Sequence, residues 1–350
     1  MKRKDSPAEG TGVKKRRKRT AAWIIAAVFT FLTILYVIAA NILVSAALKP
    51  SFMRKLDKFQ EITDRSYAEQ VQTDDIKEHR KEALSETDEW VKNTPKTKLE
   101  NFTEEGYRLV ATEFLRDDES HLWALVLHGY TGWKEEMYEF ARQYYLKGYH
   151  VIVPDLRCQG ESDGDFIGMG YTDSKDCMIY IKEILSRDPA ASIVLHGQSM
   201  GASTALMMGA EAELPPQVKA VVSDSAYTDG YRMFGDKVKE WAGIPPFLIL
   251  DAANLMLMIR GGYDLKKASA LEAVKKSPVP MLFIHGDEDR MINVSMADEL
   301  FQAAGTGLSE ADRGNKELLI VKGAGHGQTQ SKDPELYYET IFRFLSEAGM

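Results

Sequence analysis

The sequence predicts an α/β chain: a mostly parallel sheet covered by helices on both faces, preceded by one membrane-crossing helix. Three observations predict it. From about residue 101 onward, short apolar runs alternate with helix-patterned stretches. One such run, residues 192–196, passes through the turn Gly197-Gln198-Ser199-Met200-Gly201 straight into residues 202–212, rich in Ala, Leu and Met. Ahead of all this, residues 21–48 carry no charge.

Taken in order, residues 1–20 read as a polar, disordered leader with nine Lys or Arg against Asp5 and Glu9, ending in Lys14-Lys15-Arg16-Arg17-Lys18-Arg19. A free basic run of this kind suits nucleic acid, but the apolar stretch behind it gives the charges another use. Residues 21–48 set Ile, Val, Leu, Phe and Ala around Trp23 and Tyr36, and the run exceeds the roughly 20 apolar residues that cross a bilayer core. The basic flank holds the N-terminus in the cytoplasm and puts the rest of the chain outside. Val44-Ser45-Ala46 offers the small residues of a signal-peptide cleavage site; the apolar run outlasts the roughly 7–15 residues of such signals, which favours an uncleaved anchor. The formal charge is −8 in spite of the leader, so the body is acidic, which argues against nucleic acid as a partner. Cys158 and Cys177 lie in no metal-ligand spacing; no zinc site is implied, and the two read as reduced and structural.

Residues 49–100 are charged and helix-friendly, as in 74–84, and read as a juxtamembrane stalk or a helix leaning on the body, ended by Thr94-Pro95. In the body, 101–350, strand-like runs fall at 107–114, 122–127, 149–154, 192–196, 218–223, 280–285 and 318–321. Helical candidates fall at 135–147, 173–186, 200–212, 295–303 and 334–347. Apolar residues make up 44% of the chain, ample for a core on each face of such a sheet. Between about 226 and 274 the alternation fails. Two helix-like pieces flank Pro245-Pro246, and the second, 247–259, is strongly apolar but too short to span a bilayer. It reads as a small helical cap with an apolar wall suited to acyl chains, or as a helix packed into the core.

The turn around Ser199 has the form of a nucleophile elbow, in which bulkier residues in place of the glycines would crowd strand against helix. The hydroxyl is expected at the sheet's edge, above a helix N-terminus that favours negative charge. A second copy of the pattern, Gly160-Glu161-Ser162-Asp163-Gly164, runs into Asp165 rather than a helix, so Ser162 reads as a decoy. Histidines sit after the strand-like runs at His128, His196, His285 and His326. The first two suit local hydrogen bonds and His285 a strand end, whereas His326 lies in the glycine-loosened loop Gly325-His326-Gly327, from which an imidazole can reach Ser199 and act as general base. His79 and His121 lie outside such contexts and are expected to be exposed.

An imidazole in that role needs a carboxylate partner. Asp289, three residues past the turn glycine Gly286, is the choice, with Asp287 and Asp224 as rivals. The oxyanion needs two N–H donors, expected from the backbones of Met200 and Tyr130.

The ordered set His128-Gly129, Asp155-Leu156-Arg157 leading to Gly160-Glu161-Ser162, Gly197-Gln198-Ser199-Met200-Gly201, His285-Gly286-Asp287-Glu288-Asp289 and Gly325-His326 resembles the α/β-hydrolase superfamily over roughly residues 100–348. Within it the chain resembles the membrane-anchored bacterial hydrolases grouped with serine aminopeptidase-like and dienelactone hydrolase-like sequences. The resemblance implies an eight-stranded sheet, no metal or organic cofactor, and the triad Ser199, Asp289, His326, with Tyr130 and Met200 at the oxyanion hole. Gln198 stands where many relatives have histidine. The expected activity is hydrolysis of a small-molecule carboxylic ester through an acyl-enzyme on Ser199. Peptidase or thioesterase activity is the alternative, and a non-catalytic binding module a further one.

Overall fold

The computed structural model describes residues 10–53 and 73–350; the start of the basic leader and the middle of the 49–100 stretch lie outside the described residues. Eight strands form one sheet in the order β1-β2-β4-β3-β5-β6-β7-β8. They are β1 Thr97–Phe102, β2 Arg108–Phe114, β3 Leu122–Leu127, β4 His150–Pro154, β5 Ser192–Gln198, β6 Val218–Asp224, β7 Met281–Gly286 and β8 Lys316–Val321. β2 runs antiparallel to both its neighbours, and every pairing from β4 to β8 is parallel.

The longer helices are α1 Gly10–Leu48, α2 Asp74–Asn93, α3 Tyr138–Leu146, α4 Tyr171–Arg187, α5 Met200–Met208, α6 Gly230–Ala242, α7 Phe247–Gly261, α8 Ser295–Ala303 and α9 Pro334–Glu347. Side chains alternate across the sheet as its pleat requires. Trp123, Leu125 and Leu127 of β3 join a core with α4, α5 and α8, while Ala124 and Val126 join the opposite core with α3 and α9. Burial on both faces explains why the parallel strands read as nearly unbroken apolar runs.

β1 differs from expectation, because its residues fall in the stretch read as stalk. Its sequence, TKLENF, carries the charges of an exposed edge strand, which a helix-friendly reading cannot tell apart. The hairpin is closed by a turn at Gly106, whose φ of 87° favours glycine. α5 is also shorter than expected. It stops at Gly209, where the Ser277 hydroxyl donates to the freed carbonyl of Gly209.

α2 leans on the body. Lys332 pairs with Asp75 at 2.6 Å and Arg142 with Glu86 at 2.9 Å, while Trp90 packs on Phe114 with ring centroids 4.6 Å apart. His79, expected to be exposed, is half-buried with Nδ1 2.9 Å from the Ser331 carbonyl; His121 is exposed.

Between β6 and β7 the described chain contains α6, α7 and short helical turns but no strand, and the bridge between Asp229 and Ser269 closes its base. α7 has two faces. Leu250, Ala253 and Leu257 are buried, and Asn254, which interrupts the apolar run, holds the 264–265 turn through Asp264 and the Leu265 N–H. Leu248, Leu255 and Ile259 face outward.

α1 begins at Gly10, so the second half of the leader, read as disordered, is helical; the helix is long and apolar enough, by length and composition, to cross a membrane. Its last turns belong to the body: Val44 and Leu48 are buried in the same core as β3 and α5, and the Leu48 carbonyl accepts from the Ile167 N–H at 2.8 Å.

Candidate active site

The C-terminal ends of β5, β6, β7 and β8 lie side by side, so the loops leaving them can converge. β5 runs into Ser199, whose φ of 56° and ψ of −118° turn the chain sharply into α5. Only glycine fits on either side. A Cβ on Gly197 would come 2.1 Å from the Gly201 carbonyl oxygen, and one on Gly201 would come 2.2 Å from that of Leu127. Rare backbone conformations of this kind persist only where surrounding structure enforces them.

The loop after β8 brings His326 to this turn, with Nε2 2.8 Å from Ser199 Oγ. On its other side His326 Nδ1 lies 2.7 Å from Asp289 Oδ2. Asp289 Oδ1 accepts the N–H groups of Met291 and Ile292, each at 2.8 Å. His285, on β7, sits 3.1 Å from Asp289 Oδ2 and 2.9 Å from the Ile292 carbonyl, so it braces the carboxylate. Burial alone would raise the Asp289 pKa. The charge of His326 and the hydrogen bonds from both histidines outweigh it and hold the carboxyl below its usual range.

The other candidates lie elsewhere. Asp287 accepts the Gly323 N–H at 2.6 Å and so tethers the β7 and β8 loops. Asp224, fully buried, accepts from Thr329 Oγ1 at 2.8 Å, Ser225 Oγ at 2.9 Å, Tyr337 OH at 3.1 Å and Gln198 Nε2 at 3.3 Å. Burial raises its pKa against those bonds. Gln198 adjoins Ser199 and Thr329 follows His326 by three residues, so Asp224 ties the turn and the histidine loop together. Ser162 is structural: its hydroxyl donates to the Asp155 carbonyl at 2.7 Å and accepts the Val110 N–H at 2.8 Å.

His128 and His196 make local bonds. His128 Nε2 accepts the Leu156 N–H at 2.9 Å while Nδ1 donates to the Gly129 carbonyl at 2.7 Å. His196 lies between the hydroxyls of Tyr144 and Tyr337, and burial pulls its pKa down to about 3.

Met200 opens α5, where first-turn N–H groups have no helical carbonyl to bond. Gly129, one residue before Tyr130, packs so closely on Ser199 that a Cβ there would sit 3.4 Å from the serine Cβ. The loop is fixed by Lys134, whose backbone N–H and ammonium each bond Asp155 at 2.7 Å. Lys134 escaped sequence reading because a lysine after a turn looks solvated, yet it is buried. Ser199 stands at the sheet's edge but is only 9% exposed, and the end of α1 closes over the neighbouring loop, with the Tyr130 hydroxyl donating to the Ala47 carbonyl.

Among the described residues, no group of three or more His, Cys, Asp or Glu could hold a metal ion. Cys158 is half-buried and Cys177 buried, and neither forms a disulfide.

A family model described as "alpha/beta hydrolase fold" matches residues 125–256. The chain is 26% identical over 222 residues to the uncharacterized protein YqkD of Bacillus subtilis (strain 168), covering 63% of this chain and 70% of that protein. It is 24% identical over 248 residues to a thermostable monoacylglycerol lipase of Bacillus sp. (strain H-257), covering 64% of this chain and 90% of the lipase. Among solved structures, the Pyrococcus furiosus esterase Pf2001 superposes with a TM-score of 0.57 at 22% identity, over 73% of this chain and 92% of the esterase. With its eight-stranded, mostly parallel sheet and the strand-turn-helix at Ser199, the chain has the α/β-hydrolase fold.

Proposed function

We propose that the chain is a membrane-anchored serine hydrolase that cleaves carboxylic esters. The observation that carries this is the unbroken hydrogen-bonded path from Ser199 Oγ through His326 to Asp289. Ser199 Oγ attacks the ester carbonyl as His326 Nε2 takes its proton, and Asp289 stabilises the imidazolium that forms. The backbone N–H groups of Met200 and Tyr130 receive the charge that develops on the carbonyl oxygen. His326 then protonates the departing alcohol. Water, activated by the same imidazole, releases the acid and restores Ser199.

An ester is favoured over an amide by the similarity to a monoacylglycerol lipase. The basic flank and apolar length of α1 support an uncleaved single-pass anchor with a cytoplasmic N-terminus and an extracytoplasmic body. The burial of Val44 and Leu48 in the body's core supports the same reading, since cleavage near Ala46 would strip Val44 from that core.

The test is hydrolysis of a nitrophenyl butyrate and an aminoacyl anilide by the full chain in detergent. Ester turnover is expected, falling at least about 10⁴-fold in His326→Ala. Preferential release of the amine would favour a peptidase instead, and equal turnover by the variant would remove His326 from the mechanism.

A further inference from the structure

The outer face of α7 is an apolar surface with no partner among the described residues. Ile244, just ahead of the helix, is followed on it by Phe247, Leu248, Leu255, Met258 and Ile259, all exposed, with Ile259 at 68%. Leu248, Leu255 and Ile259 are spaced by seven and four residues and therefore share one stripe. Surfaces of this kind mark protein contacts or lipid contacts.

The position of α7 against α1 decides between them. The Tyr36 hydroxyl donates to the Leu248 carbonyl at 2.5 Å, at the start of α7. Near its end, Arg260 donates to Asn41 Oδ1 and, at 2.9 Å, to Ser45 Oγ. Both ends of α7 are thus held against the stretch from Tyr36 to Ser45. Arg19 is the last charged residue before the apolar run, and Tyr36 lies about 26 Å beyond it along the helix axis. A bilayer hydrocarbon core is about 30 Å thick. If Arg19 marks the cytoplasmic boundary, Tyr36 has not yet left the hydrocarbon, whereas Ser45, about 39 Å along, has. The helix bonded to both therefore lies at the outer boundary, where tyrosine is enriched and an arginine can extend its charged end toward water.

We infer that the exposed stripe of α7 is a second membrane contact, seated in the outer lipid boundary beside the anchor. The inference rests on the reading of α1 as a spanning helix. It places the 226–274 insertion against lipid, so that α7 and the anchor form one membrane-facing surface. Lipid acyl chains are its occupant; a second copy of the chain or another protein on the stripe is the competing outcome.

The experiment uses the full chain in phosphatidylcholine–phosphatidylglycerol vesicles, with an environment-sensitive fluorophore on Ile259→Cys or, as a second position, Leu255→Cys. Glu213→Cys is the control, in an exposed turn before β6 and so at the opposite edge of the sheet from Ser199. The unsubstituted chain, carried through the same labelling, corrects for Cys158 and Cys177. Lipid bearing a nitroxide at a shallow acyl position is expected to quench positions 259 and 255 at least twofold and to leave 213 unchanged. A chain that floats with the vesicles while 259 and 255 are quenched no more than 213 overturns the lipid contact and leaves the anchor standing. Cross-linking of 259 to a second copy or to another protein under those conditions does the same. A chain that fails to float overturns the anchor, and the lipid contact with it.

Discussion

The chain writes Gly-x-Ser-x-Gly twice and uses it in two opposite ways. At Ser199 the pattern links a buried strand to an apolar helix, forces φ to 56° and directs the hydroxyl to an imidazole 2.8 Å away. At Ser162 it forms a polar loop, and the hydroxyl is consumed by the Asp155 carbonyl and the Val110 N–H. Flanking carboxylates are used structurally there too, since Glu161 pairs with Lys134 and Lys98. The difference lies in what surrounds the pentapeptide: a helix start supplies unbonded N–H groups, whereas a loop must satisfy its own polar atoms.

The largest effect that could break this contrast comes from the two serines. Ser199→Ala is expected to lower ester turnover at least about 10⁴-fold with the melting temperature unchanged. Ser162→Ala is expected to keep turnover near the parent value and to cost about 1–3 kcal/mol of stability, because a buried N–H loses its acceptor. Thermal melts beside turnover measurements read both, and the reverse pattern would exchange the roles of the two serines.

Two carboxylates sharpen the contrast. Asp289→Asn is expected to reduce kcat about 10⁴-fold by upsetting the His326 tautomer. Asp224→Asn disturbs the bonds from Gln198, Thr329, Ser225 and Tyr337, which hold the serine turn and the histidine loop in place, and about a tenfold loss is expected. A larger loss for Asp224→Asn would make it the functional acid.

The smallest effect concerns Asp173 on α4, which is fully buried, with Oδ1 lacking a hydrogen-bond partner among the described residues. Burial, reinforced by the neighbouring Asp176, pushes its pKa up to about 7. The folded state therefore holds the proton more tightly than the unfolded chain, so stability from this group is complete below pH 4 and is lost as pH rises toward 7. Asp173→Asn should match the parent near pH 4 and exceed it by a few kcal/mol near pH 8 in melts at the two pH values. A constant difference would show that Asp173 stays ionised in the folded chain.

Much of this was legible in the sequence because the signals are local. The parallel strands are apolar runs, and the Ser199 turn announces itself through glycines that steric contact requires. β1 was not legible, since an edge strand with Lys98 and Glu100 resembles a charged helix until β2 pairs with it. The roles of Asp224 and Lys134 were equally hidden, because each depends on partners distant along the chain and nothing local distinguishes a buried charge from a solvated one. The seating of α1 on Tyr130 was hidden for the same reason. The choice of Asp289 rested on its spacing from Gly286 and on the chain's return at Met291-Ile292, whereas the proximity of Asp289 to His326 is a tertiary fact.

The most direct measurement is covalent labelling of the full chain with a fluorophosphonate, followed by peptide mass mapping. A single phosphonyl adduct is expected on Ser199, and it should vanish in His326→Ala while the fold persists. An adduct on Ser162, or a folded chain whose Ser199 stays unmodified, would contradict the account.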